Sequence, residues 1–185
     1  MSTRSQRLAK SLKIRDQKRQ DLRIHHWDKV GKYLGTTLFL LLISIWYFGF
    51  GLMRVDGPSM EGTLYHNQWR IISKWTAPKR GDVVTLLERE KPEDEGKLIV
   101  KRLIGLPGDV IQNHKGQVTV NGEPLAEPYV LEANRQQFDQ TEWEITVPEG
   151  HVFVMGDNRD ISKDSRTVGS FKQSAIIGTV LQGGN

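Results

Sequence analysis

The sequence predicts a mainly β domain over residues 54–185 behind one N-terminal transmembrane helix, and three observations carry that prediction. Leu34 to Met53 is a run of twenty residues without a charge. After it the pattern changes to short β-branched stretches at period two, separated by Gly, Pro, Asn and Asp, the alternation expected of half-buried strands. Within that region Val118-Thr119-Val120 runs into Asn121-Gly122, the pair that a two-residue hairpin turn favours. A chain of 185 residues leaves room for one ordinary domain beside such a helix and excludes two large ones.

Residues 1–33 read as a basic arm. Positions 1–32 hold ten Lys/Arg and three Asp, a charge of +7, while the remainder carries −3. The arm alone calls for an anionic partner, and the apolar run behind it selects a phospholipid bilayer over nucleic acid. Leu8, Leu12, Arg15, Arg19 and Leu22 fall at helical spacing but give little apolar area, so the arm is expected to be a fraying surface helix or a solvated tail. Residues 34–53, as a helix rising ~1.5 Å per residue, would span roughly 30 Å, the thickness of a bilayer core. A cleavable signal sequence has a shorter apolar core and a small-x-small exit. The exit here is Gly51-Leu52-Met53-Arg54, which identifies an uncleaved anchor. Because the Lys/Arg excess precedes the anchor, the N-terminus is expected in the cytoplasm and residues 54–185 outside. There is no cysteine, so no disulfide holds the exterior domain and no thiol serves its chemistry.

The strands come in order. Gly81-Asp82 precedes Val83 to Leu87, and Lys97 to Ile104 closes on Pro107-Gly108, a type II turn signal. Glu144 to Val147, His151 to Met155 and Ser174 to Leu181 complete the set. Glu88 to Gly96 is a charged loop, and Glu127 to Thr141 an excursion from the sheet. Met60, Trp69 and Trp75 suit either a membrane interface or a core.

Without cysteine, a nucleophile must be a hydroxyl. Ser59 stands in Asp56-Gly57-Pro58-Ser59-Met60, where Gly permits close backbone approach and Pro stiffens the chain that presents the hydroxyl. His25 and His26 lie in the arm, and His66, His114 and His151 have no recognisable triad setting. A lysine replaces histidine as base when burial brings its pKa of ~10.4 toward neutrality. Strand alternation puts Lys101 on one face with Ile99 and Leu103 while Arg102 points the other way, so its ammonium is expected to be desolvated. The third cluster, Gly156 to Arg166, alternates acids, bases and hydroxyls. Asp157, Arg159, Asp164 and Arg166 are expected to fix its shape, with Ser162 or Ser165 turned inward to hold the lysine amine.

Taken in order, Gly57-Pro58-Ser59-Met60 with Thr63-Leu64, Gly81-Asp82-Val83-Val84, Lys101 to Asp109, and Gly156-Asp157-Asn158-Arg159-Asp160 through Ser162, Asp164, Ser165 and Arg166 resemble the bacterial type I signal peptidases. The resemblance spans residues 57–166 and comes after an anchor, as in the short single-anchor form of Gram-positive bacteria. It implies two antiparallel β-sheets around a Ser/Lys dyad and removal of signal peptides from secretory preproteins after small residues at −1 and −3. It makes Ser59 the nucleophile, Lys101 the base, Ser162 the hydroxyl that orients the lysine, and Asp164 and Arg166 structural supports. No cofactor or metal is implied. The Ser59 N–H would be one oxyanion donor; where some members carry a serine as second donor, this chain has Gly57, so that donor is unassigned. Three other readings are an inactive paralogue assisting surface-protein or pilus assembly, a soluble Ser/Lys autoprotease repressor with a DNA-binding arm, and a non-enzymatic membrane receptor.

Overall fold

The computed structural model describes residues 3–89, 95–134, 136–137 and 142–181. By internal contacts the chain divides into Met1–Tyr47 and Phe48–Asn185. The first unit is helical: α1 runs unbroken from Thr3 to Gly49, taking in the arm expected to fray or stay solvated. Within it, Trp27–Gly49 is a 23-residue stretch long and apolar enough to cross a membrane, and none of its most apolar window is buried. Thr36 and Thr37 donate their hydroxyls to the carbonyls of Lys32 and Tyr33 one turn back. Such bonds satisfy a polar side chain where no water is available.

The apolar run outlasts the helix. Residues Phe50–Arg54 are a strand, β1, so the last four residues of the expected anchor belong to the sheet instead. Close packing explains the change. A Cβ on Gly49 would come within 2.5 Å of the Trp75 ring, and one on Gly51 within 2.9 Å of Ile72, so glycine at both lets the chain pass flat against the domain.

The second unit is antiparallel throughout. After β1 come β2 (Trp69–Ser73), β3 (Val83–Glu88), β4 (Lys97–Gly105), β5 (Val110–His114), β6 (Gln117–Val120), β7 (Glu123–Pro124), β8 (Glu142–Thr146), β9 (His151–Met155), the four-residue helix α2 (Ser165–Val168), β10 (Phe171–Lys172) and β11 (Ile176–Val180). They form a seven-stranded sheet in the order β1-β2-β11-β3-β4-β9-β10 and a four-stranded sheet in the order β7-β6-β5-β8. The predicted hairpin is present: Val120 pairs with Glu123, and Asn121 and Gly122 both have positive φ. So is the turn at Pro107-Gly108, where Asp109 N–H donates to the Leu106 carbonyl and Gly108 has φ 82°. Parts of the charged loop (residues 90–94), of the excursion (135 and 138–141) and of the C-terminal end (182–185) lie outside the described residues.

Three hydrophobic clusters fill the domain. Met53, Val55, Met60, Leu64, Ile72, Val83, Val100 and Val180 form the one that includes Met60, next to Ser59. Val84, Leu86, Leu103, Val152 and Val154 pack on the other face of β3 and β4. Ile104, Ile111, Val118, Val120, Val147, Phe153 and Met155 join the two sheets. Met60 is thus a core residue, whereas Trp69 and Trp75 are exposed. β4 is buried on both faces from Val100 onward, which makes it the rigid floor on which the site is built.

Candidate active site

Ser59 lies on the connection between β1 and β2. Backbone bonds from Val55 N–H to the Gln68 carbonyl (2.8 Å) and from Asn67 N–H to the Val55 carbonyl (2.9 Å) hold the start of this connection. The chain then turns through Gly57, whose φ of 85° suits glycine. Pro58 opens a tight turn in which Glu61 N–H donates to its carbonyl, and the Met60 carbonyl in turn accepts from Thr63 and Leu64 N–H. Met60 and Leu64 are buried and anchor the turn from below, leaving Ser59 half-buried on top.

Lys101 reaches it from β4, where it pairs across the ladder with Val84. Lys101 is only 4% exposed, and its Nζ lies 2.8 Å from Ser59 Oγ. Burial lowers the Lys101 pKa below the usual lysine value; Asp164, Glu88 and Asp157 oppose the shift, and Arg166 adds to it. Desolvation dominates because an ammonium taken out of water loses more than distant carboxylates return. Pairing of β4 with β9 starts at Arg102, so among the described residues the β4 edge from Lys97 to Lys101 has no partner on that side.

Arg102 points away from Lys101, as alternation requires, but into a second buried site. Its Nε and Nη2 donate to the two Asp157 oxygens at 2.8 and 2.6 Å, Nη1 donates to the Gly81 carbonyl, and its guanidinium stacks 3.7 Å from the Tyr129 ring centroid. Thr63 donates to Asp157 and accepts from Arg102. A bidentate pair with each charge further hydrogen-bonded is the arrangement that makes a buried ion pair tolerable. The network ties the turn that carries Ser59, through Thr63, to the strand that carries Lys101.

The 156–166 loop divides its charges differently from the expectation. Asp164 and Arg166 pair within it, but Asp157 turns to Arg102, and Arg159 pairs with Glu127 on the excursion. Tyr129 donates its hydroxyl to Glu127, and burial, with the Glu127 charge adding to it, pushes the Tyr129 pKa up. Burial alone would raise the Asp164 carboxyl, but Arg166, the Gly156 N–H and the nearby Ser162 hydroxyl outweigh it and hold the group below the usual carboxylate range. Of the two inward serines, Ser165 is committed, accepting the Val154 N–H at 2.9 Å. Ser162 Oγ is buried, faces the Asp164 carboxylate, and among the described residues makes no hydrogen bond of good geometry. It flanks Ser59: a Cβ on Gly156 would meet Ser162 Oγ at 2.2 Å and the Ser59 carbonyl at 2.4 Å. Asn158 N–H donates to that same carbonyl.

The structure therefore brings Ser59, Lys101, Ser162, Asp164 and Arg166 into one region. Thr63, Glu127 and Tyr129 are participants that sequence reasoning did not single out; only Thr63 had a signal, its place beside the Gly57-Pro58-Ser59-Met60 motif.

Residues 28–182 match the family described as signal peptidase, peptidase S26. The chain belongs to the signal peptidase family. Among its relatives, signal peptidase I of Bacillus amyloliquefaciens is 40% identical over 153 residues, covering 76% of this chain and 78% of the relative. Signal peptidase I of Streptococcus pneumoniae serotype 4 is 32% identical over 181 residues, covering 76% of this chain and 87% of the relative. A solved signal peptidase I from Enterococcus faecalis V583 is 34% identical, covers 58% of this chain and 98% of its own, and gives a TM-score of 0.49. As a signal peptidase the chain is a serine peptidase with a mainly antiparallel β domain and an N-terminal apolar helix as candidate membrane anchor. The relatives favour this activity over an inactive assembly paralogue.

Proposed function

We propose that this peptidase removes N-terminal signal peptides from exported preproteins, with Ser59 as nucleophile and Lys101 as general base. The observation that carries the reading is the 2.8 Å approach of Ser59 Oγ to the Nζ of a lysine whose pKa burial has lowered. A neutral amine offers a lone pair, so the Ser59 hydroxyl donates its proton to Nζ as Oγ attacks the scissile carbonyl. The departing amine then takes that proton from Lys101. In the second half Lys101 deprotonates a water that attacks the acyl carbonyl, and it returns that proton to Ser59 Oγ as the ester bond breaks. Ser59 N–H makes no hydrogen bond among the described residues, which suits it to receive the oxyanion. Gly57 brings no hydroxyl as a second donor. The buried Ser162 Oγ is assigned to orient the lysine, and the Asp164–Arg166 pair to hold the loop that carries it.

The substrate is proposed to lie extended along the free β4 edge between Lys97 and Lys101, where backbone bonds give affinity and shallow pockets select small residues at −1 and −3. The anchor is assigned to Leu34–Gly49, the helical part of the apolar run, with the basic arm in the cytoplasm against anionic lipid and the sheet domain outside. Tethering both partners in one bilayer raises their effective concentration. Ser59→Ala and Lys101→Ala are each expected to abolish cleavage of a preprotein in detergent while far-UV circular dichroism stays unchanged. Turnover retained by the lysine variant would sink the dyad.

A further inference from the structure

One contact beside the nucleophile has no role in the Ser59/Lys101 chemistry. Gly57 N–H donates to the Nδ1 of His66 at 3.0 Å. With the two bonds between Val55 and residues 67–68, it forms a clamp on the segment entering the nucleophile turn. His66 supplies the member of that clamp nearest Ser59, and the only one made by a side chain. It matters most there, because Gly57 sits at φ 85° with open space where a Cβ would be, so neither packing nor a side chain of its own fixes this residue.

The acceptor works in one protonation state. Nδ1 accepts an N–H only while it carries no proton; once protonated, both ring nitrogens are donors. The charged groups facing the ring set the outcome of protonation. Asp56 Oδ1, on the same strand connection, lies 3.7 Å from Nδ1. The other Asp56 oxygen is 3.5 Å from Lys97 Nζ at the start of β4. A protonated His66 therefore exchanges the Gly57 N–H for the Asp56 carboxylate and competes with Lys97 for it. The exchange releases Gly57 from the clamp.

We propose that His66 is a positioning residue for Ser59: its neutral ring fixes Gly57, and its protonation releases the nucleophile turn. This rests on the assignment of Ser59 and Lys101 and adds a second acid-side control, independent of the lysine.

The test is the pH dependence of preprotein cleavage by the full chain in detergent, for the unaltered protein, His66→Ala and His66→Asn. Asn places an acceptor oxygen close to the Nδ1 position and cannot titrate. For the unaltered protein, the acid limb of log kcat should carry, beside the fall caused by Lys101, an extra step of about fivefold as His66 takes up its proton. His66→Ala should lower kcat at alkaline pH about fivefold, the loss expected of one hydrogen bond, with KM nearly constant. His66→Asn should restore that alkaline kcat and remove the extra acid step. Identical acid limbs in the unaltered protein and His66→Asn would overturn the proposal, as would full alkaline kcat in His66→Ala. Turnover by Lys101→Ala would instead overturn the dyad itself, so the two failures are distinct.

Discussion

Lys101 sets function against stability at the scale of one residue. The unfolded chain binds a proton at this lysine up to its ordinary pKa of 10.5, while the folded chain gives it up at lower pH because of burial. Stability therefore rises with pH between the folded-state value and 10.5, because the unfolded state binds more protons throughout that window. Below the window the folded protein must carry a buried ammonium. Lys101→Met should remove that cost, giving an inactive protein whose melting temperature at neutral pH is higher by on the order of 3 °C for each kcal/mol recovered. The gain should shrink as pH rises through that window and level off above pH 10.5. Calorimetry of both proteins across pH checks it, and a lower melting temperature for Lys101→Met at neutral pH would contradict a desolvated lysine. Activity tracks the same titration, rising with pH as the amine becomes neutral. Asp164 behaves oppositely: its depressed pKa contributes stability above the ordinary carboxylate range, lost as pH falls through the folded value.

At the scale of elements, β4 carries Lys101 on one face and Arg102 on the other. Asp157→Asn leaves the Arg102 guanidinium buried beside a neutral amide and should cost about 3–5 kcal/mol, the loss typical of breaking one side of a buried pair. Urea unfolding measures it, and a cost below about 1 kcal/mol would show the pair to be solvated like a surface one. The variant should also lose activity, because Thr63 of the nucleophile turn is bonded to the same carboxylate. Half of this arrangement was legible in the sequence. Period-two alternation put Ile99, Lys101 and Leu103 on one face, a purely local rule. The Arg102 partner was not, because Asp157 is 55 residues away, and the charge pattern of the 156–166 loop pairs as readily within itself. β5 escaped notice for a related reason: Asn113, buried at the centre of the smaller sheet, breaks the apolar alternation that marks a strand.

For the whole molecule, the boundary between helix and sheet decides what a soluble form needs. Sequence placed the end of the anchor at Met53 because Phe50 to Met53 is as apolar as the helix before it. Hydropathy cannot tell a lipid-facing residue from one facing a protein core. Nor could it show that the C-terminal strand β11 lies inside the sheet, between β2 and β3, since strand order is set by long-range pairing. Met53 is 6% exposed and packs in one cluster with Met60, Leu64 and Ile72, and Thr85 donates its hydroxyl to the Met53 sulfur. β1 also covers the outer edge of β2 along its full length. A chain starting at Phe48 should then unfold cooperatively in urea and cleave a preprotein peptide in detergent. One starting at Val55 loses the Met53 side chain, worth about 2–5 kcal/mol in a core position, together with the β1 ladder. Its activity should fall further than its stability, because the exposed cluster is the seat of Met60 and hence of the turn presenting Ser59. Equal unfolding midpoints for the two chains would mean that β1 is an extension of the anchor and no part of the catalytic domain.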